Sequence, residues 1–188
     1  DEIVRVWQAA DTLGFPVGSA VQLLLLTGQR RDEISHMRWQ EINLDNATWT
    51  IPAERNKSGR LHVVPLSSLA LSILRAAPRS DGFVFWGRSP GTAINGWSRA
   101  KERLDQLSGV SEWRLHDLRR TAATGMARLG FDPHVVERVL NHATTNAGPL
   151  ARVYQRYAYE EEKRAALQAW AAEVKRLCAA RPTVESAH

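Results

Sequence analysis

The stretch from Val17 to Leu26 is almost uniformly apolar, has the length of an ordinary helix and ends at Thr27-Gly28. A helix that is apolar around its whole circumference has to be covered on every side, so this one reads as a buried helix about which the other elements pack. Its longest apolar run, Val21 to Leu26, is interrupted by Gln22 and stops at Thr27, well short of the ~18 residues that a membrane span needs. No membrane integration is therefore expected. A chain of 188 residues with 44% hydrophobic and 24% charged content has the material for one domain with a real core, and its composition is not that of a disordered chain.

The elements that would cover this helix can be placed by periodicity. Residues 1 to 13 carry Ile3, Val4, Trp7 and Ala10 at helical spacing, until Gly14-Phe15-Pro16 breaks the pattern. Asp32 is placed to cap a further helix in which Ile34 and Met37 share an apolar face, with Trp39 near its end. Ala47 to Ile51 and Leu61 to Pro65 are β-branched and aromatic runs flanking Asn56-Lys57-Ser58-Gly59, which is turn chemistry, and together they predict a hairpin. Phe83-Val84-Phe85-Trp86 predicts a third short strand.

Ser67 or Ser68 caps a helix through Leu74 to Ala76, and helical patterns follow from Gly91 to Leu107 and from Leu115 to Leu129, the latter closed by Gly130. Asp132-Pro133 opens another helix, Ala143 to Gly148 is loop-like, and the chain from Pro149 leads into a long terminal helix with an apolar stripe of Leu167, Trp170, Val174 and Leu177. The expected fold class is mainly α with a small three-stranded antiparallel sheet, in one domain over residues 1–180, with a frayed tail over 181–188.

The charge balance is the first indication of a partner. Lys and Arg number 25 against 20 Asp and Glu, and most of the cations are arginine, whose planar fork suits bidentate contacts to phosphate. A single cysteine, Cys178, can form neither an internal disulfide nor a cysteine-based zinc site. The first residues lack the charged, apolar and cleavage regions of a secretory signal.

Several polar residues stand at element junctions: Arg30 after Thr27-Gly28, Lys57 at the hairpin tip, His116 and Arg119 on one helix, and His142 at a helix end. His116 and Arg119 are three apart and share a helix face, and the same spacing lets Glu33 hold the Arg30 guanidinium. Tyr154, Tyr157 and Tyr159 follow as candidate nucleophiles. Taken singly, each has an ordinary structural reading: a surface His-Arg pair, an Arg-Glu salt bridge, a solvated turn lysine, a helix-end histidine, packed tyrosines.

Their order is another matter. Thr-Gly-x-Arg, a lysine in a β-turn, His-x-x-Arg, Leu-x-His and then tyrosine closely resembles the catalytic domain of the tyrosine recombinases, the phage-integrase family. The stretches that carry the resemblance are LLLLTGQRRDEISHMRWQEINLD, KSGRLHVVPLS, LHDLRRTAATGMARLGFDPHVVERVLNHA and VYQRYAYEEEKRAALQAW. It is most similar to integrases of bacterial phages and genomic islands. By motif, Arg30 and Arg119 match the two phosphate-binding arginines, Lys57 the hairpin lysine, His116 the histidine of His-x-x-Arg, His142 the second histidine, Tyr154 the nucleophile, and Glu33 the residue bracing the first arginine. Asn141 stands where the family more often has glycine, and the interval from His142 to Tyr154 is longer than usual.

The resemblance implies a site-specific DNA recombinase that cleaves and rejoins strands through a 3′-phosphotyrosyl bond. It implies double-stranded attachment sites as partners, a homo-tetramer on DNA in the full-length protein, and a bacterial cytoplasm as location, with the nucleoid when DNA is bound. It also implies a core-binding domain before Asp1, so that this chain reads as a fragment of a larger integrase whose last helix packs either in cis or on a neighbouring protomer. No cofactor and no metal are expected, because two arginines and a histidine donor can take the electrostatic role that paired magnesium ions fill elsewhere. The other readings are a non-catalytic DNA-binding accessory module and a strand transferase of the type IB topoisomerase kind. Alanine at Arg30 or Arg119 is expected to abolish cleavage and leave the fold largely intact.

Overall fold

The chain opens with helix α1 (Glu2–Leu13), passes a cis Phe15–Pro16 peptide and enters α2 (Val17–Thr27). In this computed structural model, which describes residues 2–56, 59–80, 82–89, 91–142 and 159–180, α2 is the buried centre that its composition demands. The carbonyls that its C-terminal turn leaves without helical partners are taken up from three directions. Gly28 N–H donates to Leu24 O at 3.0 Å, Trp170 Nε1 to Leu25 O at 2.8 Å and Gln29 Nε2 to Thr27 O at 2.8 Å.

The next helix, α3 (Arg31–Ser35), is shorter than its apolar spacing predicts, and Asp32 is not its cap. Arg30 occupies the N-cap position, and the Glu33 carboxylate accepts the Arg30 N–H at 2.7 Å, so the acid three residues on closes the first turn. Met37 is fully buried beyond the helix, and Trp39 opens a single 3-10 turn, Trp39–Glu41.

Three strands follow, β1 (Ile42–Asn43), β2 (Thr48–Ile51) and β3 (His62–Pro65), antiparallel in that order with Trp49 opposite Val64 and Ile51 opposite His62. The hairpin is where the turn chemistry puts it. The third strand is not: it is Ile42–Asn43, whereas Phe83 and Trp86 each make one isolated bridge, to Arg38 and Ala93. Val84 and Phe85 are fully buried, with the Phe85 ring 6.0 Å from Phe15, so that apolar run fills the core instead of extending a ladder.

The remaining helices are α4 (Ser68–Ala76), α5 (Trp97–Ser108), α6 (Leu115–Arg128), α7 (Pro133–Val139) and α8 (Glu160–Ala179). Ser67 caps α4 through its Oγ, and Asp132 caps α7 by accepting from His134 N at 2.7 Å. Helix α5 starts at Trp97, with residues 91–96 outside it. Leu167, Trp170 and Val174 are buried within this chain and Leu177 is half-buried, so the stripe on α8 packs in cis. Gly125 makes that packing possible, since a Cβ there would come within 2.2 Å of the Trp170 ring. The expected loop at 143–148, the segment 149–158 and the tail 181–188 lie outside the described residues. No described helix is long and apolar enough to cross a membrane.

Candidate active site

The turn that ends α2 is the foundation of the site. Gly28 has φ of 64°, the left-handed region that favours glycine, and a Cβ at this position would sit 2.9 Å from a Leu140 methyl. The turn projects Arg30, whose NH1 lies 3.0 Å from Glu33 Oε1 while the other oxygen of the same carboxylate caps α3. Glu33 is buried and the Arg30 side chain keeps 29% of its exposure, so the bridge orients the guanidinium without covering it.

Arg119 approaches from α6 and is held differently. Only 4% exposed, it donates NH1 to Gly28 O at 2.6 Å and NH2 to Leu140 O at 2.5 Å. One guanidinium thereby fastens the Thr27–Arg30 turn to the end of α7. Gln29 reinforces the same seam, with Nε2 donating to Val139 O at 2.9 Å as well as to Thr27 O. His62, on the inner face of β3, is 3.2 Å through Nε2 from that Val139 carbonyl. Because the partner is an acceptor, Nε2 carries the proton. Burial, then the charge of Lys163, pushes the His62 pKa down to about 3, and the imidazole is neutral. Lys163 from α8 is itself buried, which lowers its pKa, and it donates to Val63 O at 2.7 Å.

His116 stands exposed in the first turn of α6 and, with Arg30 and Arg119, lines a cleft of about 470 Å³ that also presents Arg31, Lys101 and Arg114. His142 follows α7, with its N–H bonded to Glu137 O at 2.9 Å. Partial burial, then Arg119 and Arg30, with a smaller push from His116, hold its pKa below the ordinary histidine range against the opposing charge of Glu137. Burial and the neighbouring Arg30 push Arg119 down to about 10, with Glu33 opposing, so it is a cation at neutral pH. Two guanidiniums that repel across a partly desolvated cleft, with His116 and His142 beside them, make a site that an anion placed between them would relieve.

The structure therefore brings together Arg30, Glu33, His116, Arg119 and His142 from three separated stretches of chain. Lys57 and Tyr154, like Tyr157, lie outside the described residues. Tyr159 is half-buried just before α8, packs against the core and has its ring 5.5 Å from the Arg138 guanidinium. Among the described residues no three His, Cys, Asp or Glu side chains converge as a metal would require. Sequence reasoning misses Gln29, His62 and Lys163. For His62 a signal exists: it alternates with Val64 on the inward face, a position where a titratable residue needs a partner. Gln29 and Lys163 bond to carbonyls distant in sequence, and no local pattern marks them.

A family model described as "Phage integrase family" matches residues 1–161. Prophage integrase IntA of Escherichia coli (strain K12) is 39% identical over 156 residues, which cover 80% of this chain and 37% of that protein. Prophage integrase IntZ of the same strain is 33% identical over 175 residues, 90% of this chain and 42% of that one. The chain thus spans about two fifths of the length of these relatives. Among solved structures, an integrase from mycobacterium phage Brujita superposes with a TM-score of 0.66 at 19% identity, covering 81% of this chain and 50% of that one. The catalytic core of lambda integrase gives 0.59 at 21% identity, covering 79% of this chain and 92% of that core. At these identities the likeness is one of fold.

Proposed function

The chain belongs to the phage integrase family, and on that premise we propose that residues 1–180 form a catalytic domain that cuts and rejoins DNA strands by transesterification. The observation that carries the reading is the convergence of Arg30, Arg119 and His116 on one cleft, with His142 close enough to feel the charge of all three and each arginine anchored by a different device.

A phosphodiester resists attack because its anionic oxygens repel the nucleophile and gain charge in the trigonal-bipyramidal transition state. Arg30 and Arg119 oppose both effects, and a neutral His142 adds a donor without adding repulsion between cations. In the proposed step the Tyr154 oxygen forms a bond to phosphorus as the bond to the 5′ oxygen breaks. The phenol proton leaves with help from His116, and Lys57 protonates the departing 5′ alkoxide. The product is a 3′-phosphotyrosyl protein and a free 5′-hydroxyl, and the reverse reaction with another strand completes the exchange.

Solved structures of similar fold include lambda integrase as a dimer bound to a COC′ core site and XerH bound to its difH substrate. For this chain the proposed partners are double-stranded attachment sites, with a homo-tetramer formed on DNA by the full-length protein. The proposed location is the cytoplasm of a bacterial host, on the nucleoid when DNA is bound. The test is covalent capture: duplexes with a randomised central segment are incubated with the chain and resolved under denaturing conditions. A protein–DNA adduct is expected. Binding without an adduct would make this an accessory module, and relaxation of supercoiled plasmid without site preference would make it a topoisomerase-like strand transferase.

A further inference from the structure

Asn141, in the place where the family more often has glycine, takes φ of 52° at the end of α7. That is the left-handed region, which asparagine enters more readily than other residues with a side chain. The backbone explains why glycine would suit the position, and the side chain shows what asparagine adds. Asn141 Nδ2 donates to Asn56 Oδ1 at 2.8 Å, across 85 residues of sequence. Asn56 is buried, donates its own Nδ2 to Arg60 O at 2.6 Å and accepts Gly59 N–H on its carbonyl at 2.8 Å. It therefore ties the two sides of the hairpin to each other while offering its side-chain oxygen to Asn141.

Asn56 immediately precedes Lys57, and Asn141 immediately precedes His142. The end of α7 is a firm base for such a link, because Gln29 and His62 both bond to Val139 O and Arg119 bonds to Leu140 O. We propose that the Asn56–Asn141 amide pair is a positioning contact that couples the hairpin carrying Lys57 to the turn carrying His142, so that proton donor and phosphate-binding histidine are set together. A glycine at 141 would leave the two elements without this bond. The inference rests on the reading of Lys57 as the general acid.

The test is Asn141→Gly, which allows the backbone conformation and removes only the amide. A duplex recovered by covalent capture from the randomised pool is rebuilt with a 5′-bridging phosphorothiolate at the cleaved position, whose thiolate leaving group hardly needs a proton. Single-turnover cleavage by wild type, Asn141→Gly and Lys57→Ala is then compared on both substrates. On the normal phosphodiester Asn141→Gly should be slower by roughly tenfold, the scale of one neutral hydrogen bond. On the phosphorothiolate it should match wild type within about twofold, as Lys57→Ala also recovers. Equal slowing of Asn141→Gly on both substrates, with Lys57→Ala rescued, overturns the coupling and leaves the general-acid reading in place. Failure of Lys57→Ala to be rescued removes that reading and the coupling with it. In the protein alone, Asn141→Gly should shift the backbone amide resonances of Gly59 and Arg60; resonances that stay in place would show that the contact is not made, and would overturn the proposal.

Discussion

Arg30 and Arg119 occupy paired positions of the motif, yet the fold holds them in opposite ways. Arg30 leans on a carboxylate three residues away, on its own short helix, and keeps part of its guanidinium open. Arg119 is buried and spends two of its donors on the carbonyls of Gly28 and Leu140, which belong to different elements. The first is a local device that leaves the surrounding fold alone. The second makes a residue of the proposed phosphate site into a strut that fastens the Thr27–Arg30 turn to the end of α7. Electrostatics and architecture are separable at Arg30 and joined at Arg119.

Substitution should expose the asymmetry most strongly at Arg119. Arg119→Ala removes a charge and orphans two buried carbonyls, each costing about 1–3 kcal/mol. Cleavage should be lost and the denaturant midpoint should fall well below that of wild type, in contrast to the sequence-based expectation of an intact fold. An unchanged midpoint would show that the two carbonyl bonds carry no stability. Arg30→Gln is the counterpart, because its amide can still donate to Glu33 while the charge is gone. Adduct formation should drop by about 10²–10³-fold, the scale for losing one transition-state donor, with stability altered by less than ~1 kcal/mol. A large loss of stability here would erase the distinction between the two arginines.

The smallest effect concerns the seam behind Arg119. His62 titrates near 3 in the fold and near 6.5 when unfolded. Above pH 6.5 both states are neutral and the contribution to stability is complete; as pH falls from there toward 3 only the unfolded chain takes up the proton, so stability declines. The slope from this one group is at most about 1.4 kcal/mol per pH unit. His62→Gln keeps a donor for Val139 O and cannot titrate. Urea unfolding at about pH 7 and about pH 4.5 should therefore show a smaller acid loss for the variant, and parallel losses would contradict the burial of a neutral His62.

Much of this architecture is legible in the amino-acid pattern itself. The apolar run of α2 demands burial and ends at Thr27-Gly28, and the β-branched and aromatic runs on either side of Asn56-Lys57-Ser58-Gly59 predict the hairpin. What stays hidden has physical reasons. A strand of two residues such as Ile42–Asn43 has no periodicity to detect, and the apolar run at Phe83 looks like a strand because core filling and ladder formation select the same side chains. Arg119 and Gln29 owe their place to carbonyls far away in sequence, and every carbonyl looks alike there. Asn141 is visible as a departure from the motif, but only the geometry of Asn56 gives it a partner.

The most direct measurement is the chemical location of the DNA. The wild-type adduct captured from the randomised duplexes is digested with protease and nuclease, and the peptide that retains a nucleotide is sequenced by mass spectrometry. Attachment is expected at Tyr154, and Tyr154→Phe, which keeps the ring and loses only the hydroxyl, should still bind DNA and form no adduct. A nucleotide on Tyr157 or Tyr159, an adduct that persists in Tyr154→Phe, or cleavage that leaves no protein attached to DNA would contradict the proposed step.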